Sequence, residues 1–248
     1  MSTLTGKYIE GVIELLNKIN NEEENAIDKA ATLMADAIEK GNRLFGFGCT
    51  HSSLPIQDVV YRAGGLMLMN PIYAPGIAHL DVHPSTMTSA MEKMSGYAKV
   101  ILDNQPIQAG DVLIIISVSG RNAVPIEMAQ IAKERGIKVI GITSRKYTRG
   151  VESRHPSGKK MFEFADVVID NKVDKGDAML SVKGLETKIT PASGITSIAI
   201  MHCLTTGTIE KLLAKGITPP IFIAANVDEG TEHNAELLSR YKDRIFYI

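Results

Sequence analysis

The run Val112-Leu-Ile-Ile-Ile-Ser117 constrains this chain more than any other segment. A continuous apolar, largely β-branched run has no polar face to turn to water. It therefore suits a central strand of a parallel sheet covered by helices on both sides. Shorter apolar runs at 44–47, 66–69, 137–143 and 167–170 alternate with helical patterns, including 125–135 and 194–215. The stretch 86–104 reads as helix interrupted near Ser95 and Gly96, 221–225 as a sixth strand, and 232–242 as a last helix. Strands alternating with helices predict an α/β fold, a doubly wound parallel sheet of about five strands that binds ligands outside the strands' carboxyl ends.

Before the sheet, residues 1–40 carry two apolar stripes at helical spacing. Tyr8, Val12, Leu15, Leu16 and Ile19 make one, and Ile27, Ala30, Ala31, Met34 and Ile38 the other. Asn21 with Glu24 reads as a capping box between them, and Gly41 as the stop. This helical hairpin closes the core or dimerises, and the pattern serves both uses. No linker or fixed-period repeat breaks the chain. The expectation is one domain over 1–248, with helices at 1–40, a core at 41–215 and a final strand and helix at 216–248.

The charge balance narrows the partners. Among 248 residues, Lys and Arg number 27 and Asp and Glu 28, a net charge of −1. That balance argues against a nucleic-acid or membrane-surface protein. The absence of Trp also argues against base-stacking platforms. Cys49 and Cys203 match neither a disulfide framework nor a metal-ligand spacing. No cationic start leads into an apolar run, and no run is long enough to span a bilayer. The expected setting is a reducing cytoplasm, with no cofactor.

Chemistry concentrates in the turns after strands. Ser117-Val-Ser-Gly-Arg-Asn122 joins the central strand to a helix. Its hydroxyls, a glycine fit for a tight turn and the helix N-terminus can converge on a phosphate; the plain alternative is a helix cap by Ser119 or Asn122. A second turn, Gly46-Phe-Gly48-Cys-Thr-His51-Ser52-Ser53, again supplies glycines and hydroxyls. It is neither a dinucleotide fingerprint nor a P-loop. A third, Thr190-Pro-Ala-Ser193-Gly194, precedes the long helix, where Ser193 is also a natural cap.

These three turns resemble the phosphosugar loops of the SIS (sugar isomerase) domain family, with Asn122 where Ser or Thr is usual. The likeness spans about residues 40–215 and is closest to stand-alone proteins of the phosphoheptose isomerase type. It implies a three-layer, flavodoxin-like sheet and a homodimer or tetramer with sites at subunit boundaries. It further implies a phosphorylated sugar held by Gly48, His51, Ser52, Ser53, Ser117, Ser119, Gly120 and Asn122, with Ser193 lining the same pocket. Phosphoheptose isomerases carry Gln-His-x-x-x-Glu on the helix after the first loop. Here the counterpart is Gln57-Asp-Val-Val-Tyr-Arg62, so Asp58 and Arg62 replace His and Glu.

An aldose–ketose isomerase needs a base to move a proton between adjacent carbons. Candidates are Glu92, His79 in the His79-Leu-Asp81-Val-His83 cluster, His202 on the long helix, and His233 near the last one. Each has a plain alternative: solvated surface for Glu92, a satisfied core group for His202, a cap or interface residue for His233. The cluster reads as site lining ahead of metal binding. Residues 145–160, with six Lys or Arg against Glu152, form a solvated loop or a lid over an anionic substrate. Two functions compete: an isomerase, and a non-catalytic phosphosugar sensor favoured by the replaced His/Glu pair. Lyase chemistry on an amino-sugar phosphate is a lesser third.

Overall fold

The computed structural model describes residues 3–78 and 82–248. The chain opens with helices α1 (Leu4–Glu22) and α2 (Glu24–Glu39), burying Val12 and Ile19 from the first and Ala30, Ala31, Met34 and Ile38 from the second. Gly41 ends α2 at φ +80°, a left-handed turn that suits glycine. Its N–H donates to Ile38 and that of Asn42 to Ala37, closing the last carbonyls. The expected capping box does not form. Asn21 lies inside α1, and Glu23 precedes α2 without capping it. The buried Glu23 carboxylate instead accepts from the Lys172 ammonium and, at 3.1 Å, from the Asp170 N–H. The box fails because α1 runs on through Asn21 to Glu22, which leaves Asn21 no cap position.

The following elements are β1 (Leu44–Gly48), α3 (Leu54–Val59), β2 (Met69–Pro71), α4 (Thr86–Met91), α5 (Tyr97–Asp103), β3 (Val112–Ile116), α6 (Ala123–Glu134), β4 (Lys138–Thr143), α7 (Arg145–Arg149) and β5 (Val167–Asp170). A short antiparallel hairpin, β6 (Ala178–Leu180) and β7 (Ile189–Pro191), leads to α8 (Ser193–Ala214) and α9 (Gly230–Tyr241). Among the described residues the main sheet is parallel throughout and ordered β2-β1-β3-β4-β5. This is the flavodoxin-like doubly wound order, whose crevice lies between β1 and β3. All five residues of β3 are buried. Ile114 and Ile116 join the core with α2 and α8, whereas Leu113 and Ile115 join the core with α5 and α6. The period of two thus feeds both faces.

Three boundaries depart from expectation. The helix after the first loop stops at Val59, short of Arg62, with Tyr61 left-handed at φ +49°. Strand β2 begins at Met69 because residues 64–67 are engaged elsewhere. Gly64 donates to the Phe222 carbonyl, Phe222 to Gly65, and Met67 to Pro220, at 2.7–3.0 Å. The sixth strand expected at 221–225 is absent; Ile221 makes one isolated bridge to Leu66. Phe222, 3% exposed, meets its apolar need by burial against the helical face rather than by joining the sheet.

At the β2 edge, the buried Asn70 amide fastens the end of the chain. Its Nδ2 donates to the carbonyls of Leu44, Leu68 and Arg244, and its Oδ1 accepts from Phe246 at 2.8 Å. The Tyr247 hydroxyl donates to the Met67 carbonyl at 2.7 Å. Among the described residues no helix is long and apolar enough to cross a membrane.

Candidate functional site

The register pairs Gly48 with Ile116, so the loops leaving β1 and β3 emerge side by side at the crevice. In the loop after β3, the carbonyls point one way. Val118 accepts from the Ser144 N–H and the Thr143 hydroxyl, and Ser119 from the Thr148 hydroxyl at 3.1 Å. Gly120 accepts from Met161 at 3.0 Å, and Arg121 from Arg154 at 2.8 Å. Every carbonyl from 118 to 121 is thus held by residues 143–161. The N–H groups fare differently. Gly120 donates to the Ser117 hydroxyl at 3.2 Å, but among the described residues those of Ser119, Arg121 and Asn122 find no acceptor, nor does the Ser119 hydroxyl. Such polarity, with donors left over at a helix N-terminus, makes a concavity for an anion. Gly120 adopts φ +59°, where a β-carbon would meet the Thr143 and Thr148 hydroxyls at 3.4–3.5 Å.

The loop after β1 is tighter. Thr50 is held at φ +53°, rare for a β-branched residue, and its N–H donates to Ile77 at 2.8 Å. His51, Ser52 and Ser53 form one 3₁₀ turn. The buried Ser53 hydroxyl donates to Thr50 and accepts from Gln57 at 3.0 Å, so Ser53 braces the turn. Gly48 serves clearance: a β-carbon there would stand 2.1 Å from the Ser52 carbonyl oxygen. Gly48→Ala is expected to displace the turn and lower stability by about 1–3 kcal/mol. Denaturant melts check this, and an unchanged midpoint would show that the turn tolerates the methyl group.

Glu92 caps the C-terminus of α4 and comes to this place. Its carbonyl accepts from the Val124 N–H at 3.1 Å, docking it on the start of α6. Burial pushes its carboxyl above the usual range, opposed by a hydrogen bond from Asn122 and by the charges of Lys93 and Arg154. Asn122 is the hinge of the group, since its Oδ1 also accepts from the Arg154 guanidinium at 3.2 Å. Cys49, just past β1, lies close enough to feel the Glu92 charge; burial, then that charge, pushes its thiol well up. A half-buried carboxyl, an amide and a guanidinium therefore border the anion-facing loop. Arg154 carried no individual signal in the sequence beyond the charge of its segment.

The other candidates sit elsewhere. His202 is neither buried nor beside the serine loops: its Nε2 meets Asp58 at 2.8 Å, and its side chain is 44% exposed. Asp58 is also paired with Arg62, which lies beyond the end of α3, at 2.7 Å, so the two substituted positions engage each other, and Asp58 engages α8 as well. His202 and Cys203 open on a groove of about 640 Å³ between α1, α2 and α8. His233 shares a hydrogen bond with the Ile221 carbonyl at 3.1 Å. Ser193 is the first residue of α8, and its hydroxyl donates to Asp177 at 2.6 Å. His79 and Asp81 lie outside the described residues, and His83 is exposed. Among the described residues no cluster of His, Cys, Asp or Glu is placed to hold a metal ion.

A flavodoxin-like sheet with a serine loop at its crevice defines a class, and the family model described as SIS domain matches residues 7–144, more than half of the chain. The chain belongs to the SIS domain family. Over nearly its whole length it is similar to UPF0309 proteins: 46% identical to one from Streptomyces griseus, covering 99% of this chain and 98% of that protein. One from Shouchella clausii is 43% identical over 98% of each. The phosphoheptose isomerase of Neisseria gonorrhoeae shares the fold at TM-score 0.55 and 19% identity, over 83% of this chain and 97% of that one. So does the sugar isomerase domain of an RpiR transcription factor from Sphaerobacter thermophilus, at TM-score 0.53 and 14% identity, over 98% and 99%.

Proposed function

We propose that this protein binds a phosphorylated sugar at the loop after β3 and isomerises it between aldose and ketose. The observation that carries the reading is the backbone polarity of residues 118–122, with carbonyls consumed and N–H groups unclaimed. The phosphate would take the Ser119 hydroxyl and the free N–H groups, with Ser117 holding Gly120 in place. The sugar would then extend past Asn122 toward Glu92. As base, the Glu92 carboxylate takes the proton from the carbon next to the carbonyl, leaving an enediolate. The neighbouring hydroxyl proton passes to the former carbonyl oxygen, and the Glu92 carboxyl returns its proton to the former carbonyl carbon as the other oxygen becomes the new carbonyl. A carboxyl raised by burial is nearer the operating pH than an exposed one, which suits both halves of that transfer. Phosphate binding, remote from the reacting carbons, would fix them in register. On this reading the whole chain acts as one phosphosugar-binding domain in the cytoplasm.

A second reading is a binding-only sensor. It is favoured by Asp58, the carboxylate on α3, being paired with both Arg62 and His202.

Thermal-shift screening against sugar phosphates, matching free sugars and inorganic phosphate tests the reading, because a ligand of the folded state raises the melting temperature. Stabilisation by a phosphate ester and not by its free sugar is the expected outcome. Ser119→Ala should weaken that binding about tenfold or more, the worth of a charge-assisted hydrogen bond. Equal affinity in the variant would remove the loop from the binding site. Binding without turnover would select the sensor.

A further inference from the structure

We propose that Arg154 is a specificity-determining residue of this site, a clamp that closes on the substrate's phosphate and selects dianionic esters. The inference rests on the phosphate reading of the loop after β3. Arg154 stands 32 residues from Asn122 in the chain and beyond the segment the SIS domain model matches. Its backbone is nevertheless part of the loop's support, since its N–H donates to the Arg121 carbonyl.

The segment around it is braced. Ser153 donates to the Lys159 carbonyl at 2.6 Å, His155 to the Ser153 hydroxyl at 3.1 Å, and Gly158 to the His155 carbonyl at 3.0 Å. The half-buried His155 ring lies 3.4 Å from Glu127 of α6. His155 anchors this otherwise exposed turn on α6, and the Arg154 side chain stands exposed beside it.

That guanidinium carries no direct ion pair. Other cations of this chain do have a carboxylate within 4 Å: Lys146 has Asp174, Arg135 has Asp103, and Lys172 has Glu23. Among the described residues Arg154 has none, and rests on the neutral Asn122 oxygen. The neighbouring Arg121 adds an enclosed Nε with no acceptor. A guanidinium with no direct carboxylate partner, at the rim of a donor-lined concavity and within electrostatic reach of Glu92, matches a phosphate bidentately, where Lys would offer only a point charge. Moving from Asn122 to a bound phosphate exchanges a hydrogen bond charged on the donor side alone for one charged on both sides.

Inorganic phosphate is the probe, titrated into wild type, Arg154→Gln, Arg154→Lys and Ser119→Ala, with free phosphate followed by ³¹P NMR at pH 6 and pH 8. Wild type should bind more tightly at pH 8, where the dianion dominates. Arg154→Gln should weaken binding at pH 8 at least tenfold and flatten the difference between the two pH values; Arg154→Lys should recover part of it. Wild-type affinity in Arg154→Gln, alongside a loss in Ser119→Ala, would overturn the clamp and leave the phosphate loop standing. No loss in Ser119→Ala, or no binding to wild type, would remove the loop reading and the clamp with it.

Discussion

Glu92→Gln is expected to leave a folded protein that still binds sugar phosphate and no longer turns it over. Gln matches the carboxylate in shape and can still accept from Asn122, so the docking of α4 on α6 survives. What it cannot do is take a proton from carbon. A general base contributes about 10²–10⁴-fold, which sets the expected fall in kcat, with affinity little altered. The same substitution should not destabilise the fold at neutral pH. Burial raises the Glu92 pKa, so the folded state binds this proton more tightly than the unfolded chain. Stability from that preference is present at acid pH and lost as pH rises through the folded pKa. At pH 7.5 the charged carboxylate is therefore a liability that Gln removes. The melting temperature of the variant should equal or exceed wild type at pH 7.5. Undiminished kcat would sink the base assignment, and a melting temperature well below wild type would show Glu92 to be structural.

Lys172→Met is the second large effect, on stability instead of turnover. The Lys172 ammonium is 11% exposed and pairs with the 7%-exposed side chain of Glu23 and with Asp170 at 3.6 Å. Removing the cation leaves Glu23 buried without its partner, and breaking such a pair costs about 3–5 kcal/mol. Urea midpoints at pH 7 measure it. Replacing Glu23 by Leu in the same chain should recover much of the loss, because two apolar groups leave no stranded charge. A single variant that falls by less than about 1 kcal/mol would mean that water reaches Glu23 and shields it. The pair joins the start of α2 to the end of β5, so its loss should also loosen the helical hairpin from the sheet.

The difference between what the sequence made legible and what it did not follows interaction range. Strand β3 and the turn at 117–122 were plain because a continuous apolar run has one good solution, and hydroxyls with a glycine have few. The helices α1 and α2 were plain because their stripes repeat at 3.6 residues. The Asn21–Glu24 box is a sound local rule that fails because α1 continues through Asn21, while Glu23 at the junction pairs with Lys172 from far along the chain. The 221–225 strand failed likewise: apolar β-branched residues fit an edge strand and a buried loop equally well until residues 64–67 claim the backbone. At the site, the serine loop was legible and its polarity was not, since the partners that hold its carbonyls come from 143–161. Glu92 was named but could not be separated from a surface residue until α4 was seen to dock on α6. Arg154 was visible only as part of a basic segment.

Strand β2 lies at the rim of the sheet, and a rim strand is a template on which another chain can add itself. Residues 244–247 sit against it, held by the Asn70 amide acting in both directions, as donor to Arg244 and acceptor from Phe246, and by the Tyr247 hydroxyl on the Met67 carbonyl. The Asn70 side chain thus does the work of a neighbouring strand's backbone without extending the ladder. Its length stops the sheet there, as a selvedge stops a cloth from fraying. The β2 rim is thus shielded from pairing with another chain by residues 244–247 of its own.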